Sequence, residues 1–109
     1  MSDFNKLIDK IRKFNHERDW EQFHNPKDLA IALNIETSEL LELFLWKRDA
    51  DVNIDKVKEE LADIFTFALN IADKFNLDVV SIVNEKIEKN ALKYPVEKSK
   101  GNSKKYNDL

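Results

Sequence analysis

Two acidic pairs at helical spacing, Glu36-Thr37-Ser38-Glu39 and Glu60-Leu61-Ala62-Asp63, are the residues of this chain best suited to chemistry. A spacing of three puts both carboxylates of a pair on one helix face. Around the first pair the apolar positions Leu29, Leu33, Leu40 and Leu43 recur in helical phase, and Glu36 stands where another apolar residue is expected. An unpaired buried charge is costly and four facing carboxylates repel, so such a set stays ionised when a cation neutralises it. Ligands that are all oxygen favour a hard divalent ion, Mg2+ first and Mn2+ as the alternative. The plain alternative is solvated decoration, because charged residues make up 36% of the chain and such pairs arise by chance. The phase of Glu36 argues against it, as does the apolar run Ile64-Phe65-Thr66-Phe67-Ala68-Leu69 behind the second pair.

Helices must position these pairs, and the composition agrees: one Gly, two Pro and no Cys among 109 residues describe a mostly helical domain without disulfides or thiolate metal sites. A cytoplasmic protein is the expectation, since no apolar run reaches the roughly 18–20 residues of a membrane span and Met1-Ser2-Asp3 does not resemble a secretion signal. A net charge of -3 and a pI near 5.4 argue against a nucleic-acid polymer as partner and leave a small anionic ligand carried with its metal.

Ser2 or Asp3 caps a first helix to about Arg18, with Phe4, Leu7, Ile8, Ile11 and Phe14 on its apolar face. Asp19-Trp20-Glu21-Gln22-Phe23-His24 is an aromatic connection, and Asn25-Pro26 opens a second helix to Trp46, with Leu29, Leu33, Leu40, Leu43 and Phe44 inward. A polar loop leads to Asn53, which caps a third helix through about Phe75 with an apolar ridge of Val57, Leu61, Ile64, Ala68, Ile71 and Phe75. Glu60, Asp63, Phe67 and Asn70 form the adjacent ridge, and the two acidic pairs can meet across an antiparallel helix pair. Asp78 caps a fourth helix that buries Val79 or Val80, Val83, Ile87, Ala91 and Tyr94 and stops at Pro95. The division expected is therefore a helical domain over 1–95 and a tail over 96–109 without structure of its own. Apolar positions such as Phe4, Ile11, Phe65 and Leu69 occupy more faces than one small bundle covers, so a homo-oligomer is expected, a tetramer in preference to a dimer.

Secondary candidates surround the carboxylates. Lys86, Asn90 and Lys93 form a row of donors suited to phosphate oxygens, against the alternative of a solvated face. Trp20, Phe23, His24 and Trp46 could stack on and edge-read a base, against the alternative of helix-end packing. Phe67, one turn from Asp63, belongs to the core or floors a pocket.

The run Glu17-Arg18-Asp19-Trp20-Glu21-Gln22-Phe23-His24, the motif Glu36-x-x-Glu39-Leu40-x-Glu42-Leu43-Phe44-x-Trp46-Lys47, then Glu59-Glu60-Leu61-Ala62-Asp63 and Tyr94-Pro95 resemble the MazG-like nucleotide pyrophosphohydrolases. Within them the likeness is to the dCTP pyrophosphatase branch and extends to Ser103-Lys104-Lys105-Tyr106. The resemblance implies an all-α, four-helix fold assembled as dimers or tetramers, acting on nucleoside triphosphates to give monophosphate and pyrophosphate. It implies Glu36, Glu39, Glu60 and Asp63 as ligands of Mg2+, Lys86 and Asn90 as phosphate contacts, Trp20 and Trp46 as base-pocket residues, and an ordering tail with Lys104 or Lys105 and Tyr106 over the nucleotide. A carboxylate not fully engaged with metal would position the attacking water; Glu39 is named for it, with the other three as alternatives. Phe67 departs from the family's usual Tyr, and Thr37-Ser38 from a small pair that often contains Gly. The preferred substrate expected is dCTP or a 5-modified dCTP. A different base preference, or a catalytically silent helical assembly module, are the alternatives.

Overall fold

Each long helix begins where the sequence supplies a cap. In the computed structural model, which describes residues 2–109, α1 (Asp3–Glu17) starts at Ser2, whose side chain accepts from the Asn5 amide at 3.1 Å. Asn25 accepts from the Asp28 amide at 2.9 Å ahead of Pro26 and so opens α2 (Pro26–Glu42). Asn53 accepts from the Lys56 amide at 3.2 Å to open α3 (Ile54–Lys74), and Asp78 from the Val80 amide at 3.2 Å to open α4 (Val79–Lys93). A one-turn α5 (Val96–Ser99) and short 3-10 turns at Glu21–Phe23, Asp49–Asp51 and Tyr106–Asp108 complete the chain. The protein is all-α, with no strand among the described residues. No helix among them is long and apolar enough to cross a membrane.

The chain divides into two compact units, Met1–Leu77 and Asp78–Leu109. In the first, α2 packs along α3 and α1 also lies against α3. Both pairings are antiparallel: Glu36 faces Glu60 and Asp63 while Leu43 shares a cavity wall with Lys56 and Glu59, and Arg12 and Asn15 bond to Asp73 and Asn70. Leu29, Ile8, Leu69 and Ala72 are buried among these helices. Leu69, which the periodicity assigns to an outer face, is only 3% exposed. Leu61 and Phe75, expected on the inner ridge, are exposed, so the buried stripe of α3 is rotated toward Leu69 and Ala72 by its two helix partners. Ile31, Ile35, Leu41 and Phe65 also remain exposed.

α2 ends at Glu42, short of the expected Trp46. Residues 43–46 wind into tighter i to i+3 turns, with Leu43 N bonded to Leu40 O at 3.1 Å and Phe44 N to Leu41 O at 3.0 Å. Trp46 then adopts φ +60°, a left-handed conformation that no helix continues through. Phe44, expected inward, is exposed as a result.

The second unit joins α4 to the segment after Pro95. No residue of α4 is buried, in contrast to the inward row expected from Val83, Ile87, Ala91 and Tyr94. The tail, expected to lack structure of its own, is locally ordered. Pro95 O accepts from Lys98 N and Ser99 N, and Asn102 bridges Lys98 O to the Lys104 amide. Tyr106 meets Tyr94 edge to face at 6.2 Å, and the Lys93 ammonium lies 4.9 Å from the Tyr106 ring centre.

Candidate metal centre and adjoining aromatic cavity

Glu36 on α2 and Glu60 and Asp63 on α3 bring one carboxylate oxygen each to within 4.8 Å of one another. The first two are half-buried and the third is exposed. Glu36 Oε2 and Glu60 Oε2 are sealed from solvent without a hydrogen-bond donor. Two ionised carboxylates have no proton to offer each other, so the pair is satisfied by sharing one proton or by a cation. Sharing with Glu60 is the main cause that holds Glu36 at about 7; burial adds to it, as do the neighbouring Glu39 and Asp63 charges. Orphaned, all-oxygen donors of this kind fit a hard divalent ion.

The sequence places four carboxylates in this set, and three converge. Glu39 stands outside the trio yet close enough to raise Glu36. It lines a cavity of about 490 Å³ with Glu42, Leu43, Lys47, Lys56, Glu59 and Glu60.

On the other side of Asp63 lies a more apolar cavity of about 480 Å³. Trp20, His24 and Phe67 line it, as the sequence suggests, together with Lys10, Ile11, Phe14, Asn15, Thr66 and Asn70. The connection positions the tryptophan through a single unusual residue: Asp19 takes φ +53°, and the chain folds back so that the Trp20 amide bonds to Asn15 O at 3.0 Å. Asp and Asn tolerate this region better than other side-chain-bearing residues. Phe14 meets Trp20 edge to face at 5.6 Å, Trp20 meets His24 at 6.4 Å, and the Arg18 guanidinium caps Phe14 at 3.7 Å.

Two further residues join the site: Asn15, and Asn70 from the ridge of Asp63 and Phe67. Both are buried, each 8% exposed, and Asn15 Nδ2 donates to Asn70 Oδ1 at 3.1 Å. The signal was present at Asn15, a polar residue in the helical phase of Ile8 and Ile11, by the reasoning that isolates Glu36.

Other expected site residues are not gathered here. Trp46 is 100% exposed and lines neither cavity. Lys86, Asn90 and Lys93 are exposed on α4, and Lys104 and Tyr106 belong to the same second unit.

Fold and site together define an all-helical protein with a carboxylate centre beside an aromatic cavity. Residues 31–109 match the MazG-like family model. Among curated relatives, dCTP pyrophosphatase 1 of Rattus norvegicus is 39% identical over 105 residues, covering 89% of this chain and 62% of that protein. The protein of the same name from Homo sapiens is 35% identical with the same coverage. The crystal structure of a pyrophosphatase from Archaeoglobus fulgidus aligns with a TM-score of 0.81 at 35% identity, over 87% of this chain and 94% of that one. The chain belongs to the MazG-like family. It spans about 62% of the length of the curated relatives it matches.

Proposed function

We propose that this chain is a nucleoside triphosphate pyrophosphohydrolase that uses Mg2+, with Mn2+ as a substitute, and prefers dCTP or a 5-modified dCTP. The observation that carries the reading is the sharing of Asp63 between the carboxylate centre and the aromatic cavity. A base stacked against Trp20 in the cavity has its phosphates directed toward the acidic residues. The names of the curated relatives and of the archaeal neighbour support the same chemistry.

In this reading Glu36, Glu60 and Asp63 hold the ion. When bound, it supplies charge neutralisation at the triphosphate and acidifies water. Glu39, adjacent to the trio but outside it, orients the water that displaces pyrophosphate in line at the α-phosphorus. Phe67 offers the sugar an apolar contact and no hydroxyl. Lys86, Asn90 and Lys93 on α4 and Lys104 and Tyr106 in the tail are proposed phosphate and substrate contacts, on the strength of the family positions they match. Trp46 is kept as a base-pocket residue on the same ground. The exposed apolar residues Ile31, Ile35, Leu41 and Phe65 support a homo-oligomer in which such faces are covered, and a cytoplasmic location is proposed with it.

The test is to incubate the protein with each nucleoside triphosphate and Mg2+ and to resolve the products by chromatography. Monophosphate and pyrophosphate, formed fastest from a cytosine nucleotide, are expected. Diphosphate and orthophosphate, or no turnover of any nucleotide, would overturn the proposal.

A further inference from the structure

Two buried carboxamides stand on the wall of the aromatic cavity, and their hydrogen bonding is incomplete. The 3.1 Å bond from Asn15 Nδ2 to Asn70 Oδ1 is, among the described residues, the sole hydrogen bond of either carboxamide. It leaves Asn15 Oδ1 without a donor and Asn70 Nδ2 without an acceptor. Both residues are more than nine-tenths buried, yet neither atom is among the sealed, unpartnered ones, which belong to Glu36, Glu60 and Ser99. Their unpaired atoms therefore keep some exposure, and both residues line the cavity. Leaving polar groups there without a partner is costly, and a pair of apolar residues could have joined α1 to α3 in their place.

From this arrangement we infer that Asn15 and Asn70 together read the hydrogen-bonding edge of the ring held against Trp20, Asn15 Oδ1 accepting and Asn70 Nδ2 donating. A 4-aminopyrimidine meets this pattern with its exocyclic N–H toward Asn15 and its unprotonated ring nitrogen toward Asn70, whereas a 4-ketopyrimidine in the same pose carries an acceptor and a donor in the opposite order. Trp20, flanked by Phe14 and His24, supplies the stacking surface, and the carboxamides supply the polar groups that fix orientation. A site built to bond a ligand's polar edge rejects an analogue that lacks it, because its own buried groups then go unpaired. The inference rests on the proposed nucleotide-binding function and assigns base choice to two residues outside the carboxylate centre.

The experiment measures calorimetric binding of nucleoside 5′-monophosphates to the full chain without metal, so that it does not depend on hydrolysis. The probes are the cytosine, uracil and thymine nucleotides and the 2-pyrimidinone nucleotide, a cytosine lacking its 4-amino group. The proteins are the native chain, Asn15→Ala, and the double variant Asn15→Leu/Asn70→Leu, which replaces the bonded pair by apolar residues of similar size and keeps α1 on α3. The native protein is expected to bind the cytosine nucleotide at least about tenfold more tightly than the 2-pyrimidinone nucleotide, and the folded double variant to level the two. A merely structural pair would shift the melting temperature without moving that ratio. An unchanged ratio in the folded variant, a native preference for a keto base, or no binding of any base by the native protein would each overturn the inference. Should the native protein show the ratio and lose it in the variant while hydrolysing no triphosphate, the proposed reaction fails and the base-reading pair stands.

Discussion

Arg12 forks onto Asp73 across the α1–α3 interface, with Nε donating to Oδ2 at 2.9 Å and Nη2 to Oδ1. One turn further along α1, the Asn15–Asn70 bond repeats the crossing, so two polar rungs hold the wall that carries the cavity. The guanidinium, chiefly by hydrogen bonding, lowers the Asp73 carboxyl below its ordinary value of 3.8. The rung's stabilisation is therefore present above about pH 3.8 and is lost as pH falls through the depressed value. Because the Arg12 side chain is largely exposed, Arg12→Ala is expected to cost no more than about 1 kcal/mol at neutral pH, and less at high salt. Denaturant titrations at two salt concentrations check this.

Removal of one carboxylate from the centre separates folding from turnover. Glu60→Gln or Asp63→Asn is expected to lower kcat by about a hundredfold or more while the circular dichroism stays helical. The metal-free melting temperature should hold or rise, since one like charge leaves a crowded cluster. Glu42→Gln, which touches the neighbouring cavity and not the trio, should change kcat far less. Comparable losses at Glu42 and Glu60 would redraw the centre.

Proton and metal compete for Glu36. With its carboxyl held at about 7 against an ordinary 4.5, the folded metal-free protein keeps a proton that the unfolded chain has released. That contribution to stability is fully present below about pH 4.5 and is lost as pH rises through about 7. Melting curves in chelator should therefore fall between about pH 5.5 and about pH 8. Millimolar Mg2+ should oppose the fall increasingly as pH rises, because the ion binds the deprotonated cluster. A chelated protein that grows more stable across this range would refute the shared proton.

Trp20→Ala removes the stacking wall. Base–aromatic stacking is worth about 1–3 kcal/mol for any base, so kcat/KM should drop about tenfold, and discrimination among bases should relax because the ring is no longer held against Asn15 and Asn70. The Mg2+ concentration for half-maximal activity should stay unchanged, because the indole lines the cavity and is not among the carboxylates.

The tail and the assembly give a fifth expectation. Deletion after Lys98 removes Tyr106 from its contact with Lys93 and Tyr94 and should raise KM or lower kcat with little change in melting temperature. Light scattering of both forms should give an oligomer, a tetramer ahead of a dimer. A monodisperse monomer at micromolar concentration would contradict the expected assembly.

Helix starts were legible because each depends on a local event: Ser2, Asn25, Asn53 and Asp78 all act as caps where the sequence places them. Glu36, in phase with the apolar stripe, does come together with Glu60 and Asp63, since a carboxylate in such a stripe has few satisfactory environments. What was illegible depends on distant partners. The end of α2 is decided by a left-handed turn at Trp46, a conformation bulky residues seldom adopt, and no residue type announces it. The buried stripe of α3 is set by two flanking helices at once, so Leu69 and Leu61 exchange their expected places. Asn70 lay on the ridge that the sequence traced through Asp63 and Phe67, but only its partner on α1 reveals what it does.

The two parts of the site share α3 but draw their remaining residues from separate stretches of chain. The cavity takes one wall from Lys10 to His24 and another from Asp63 to Asn70 on α3, and the carboxylates come from α2 and α3, with Asp63 common to both. Substitutions in the first two dozen residues can therefore retune which molecule is admitted without disturbing the charged residues that face its phosphates. Such a layout lets descendants of one ancestral chain diversify in diet while inheriting the same reaction.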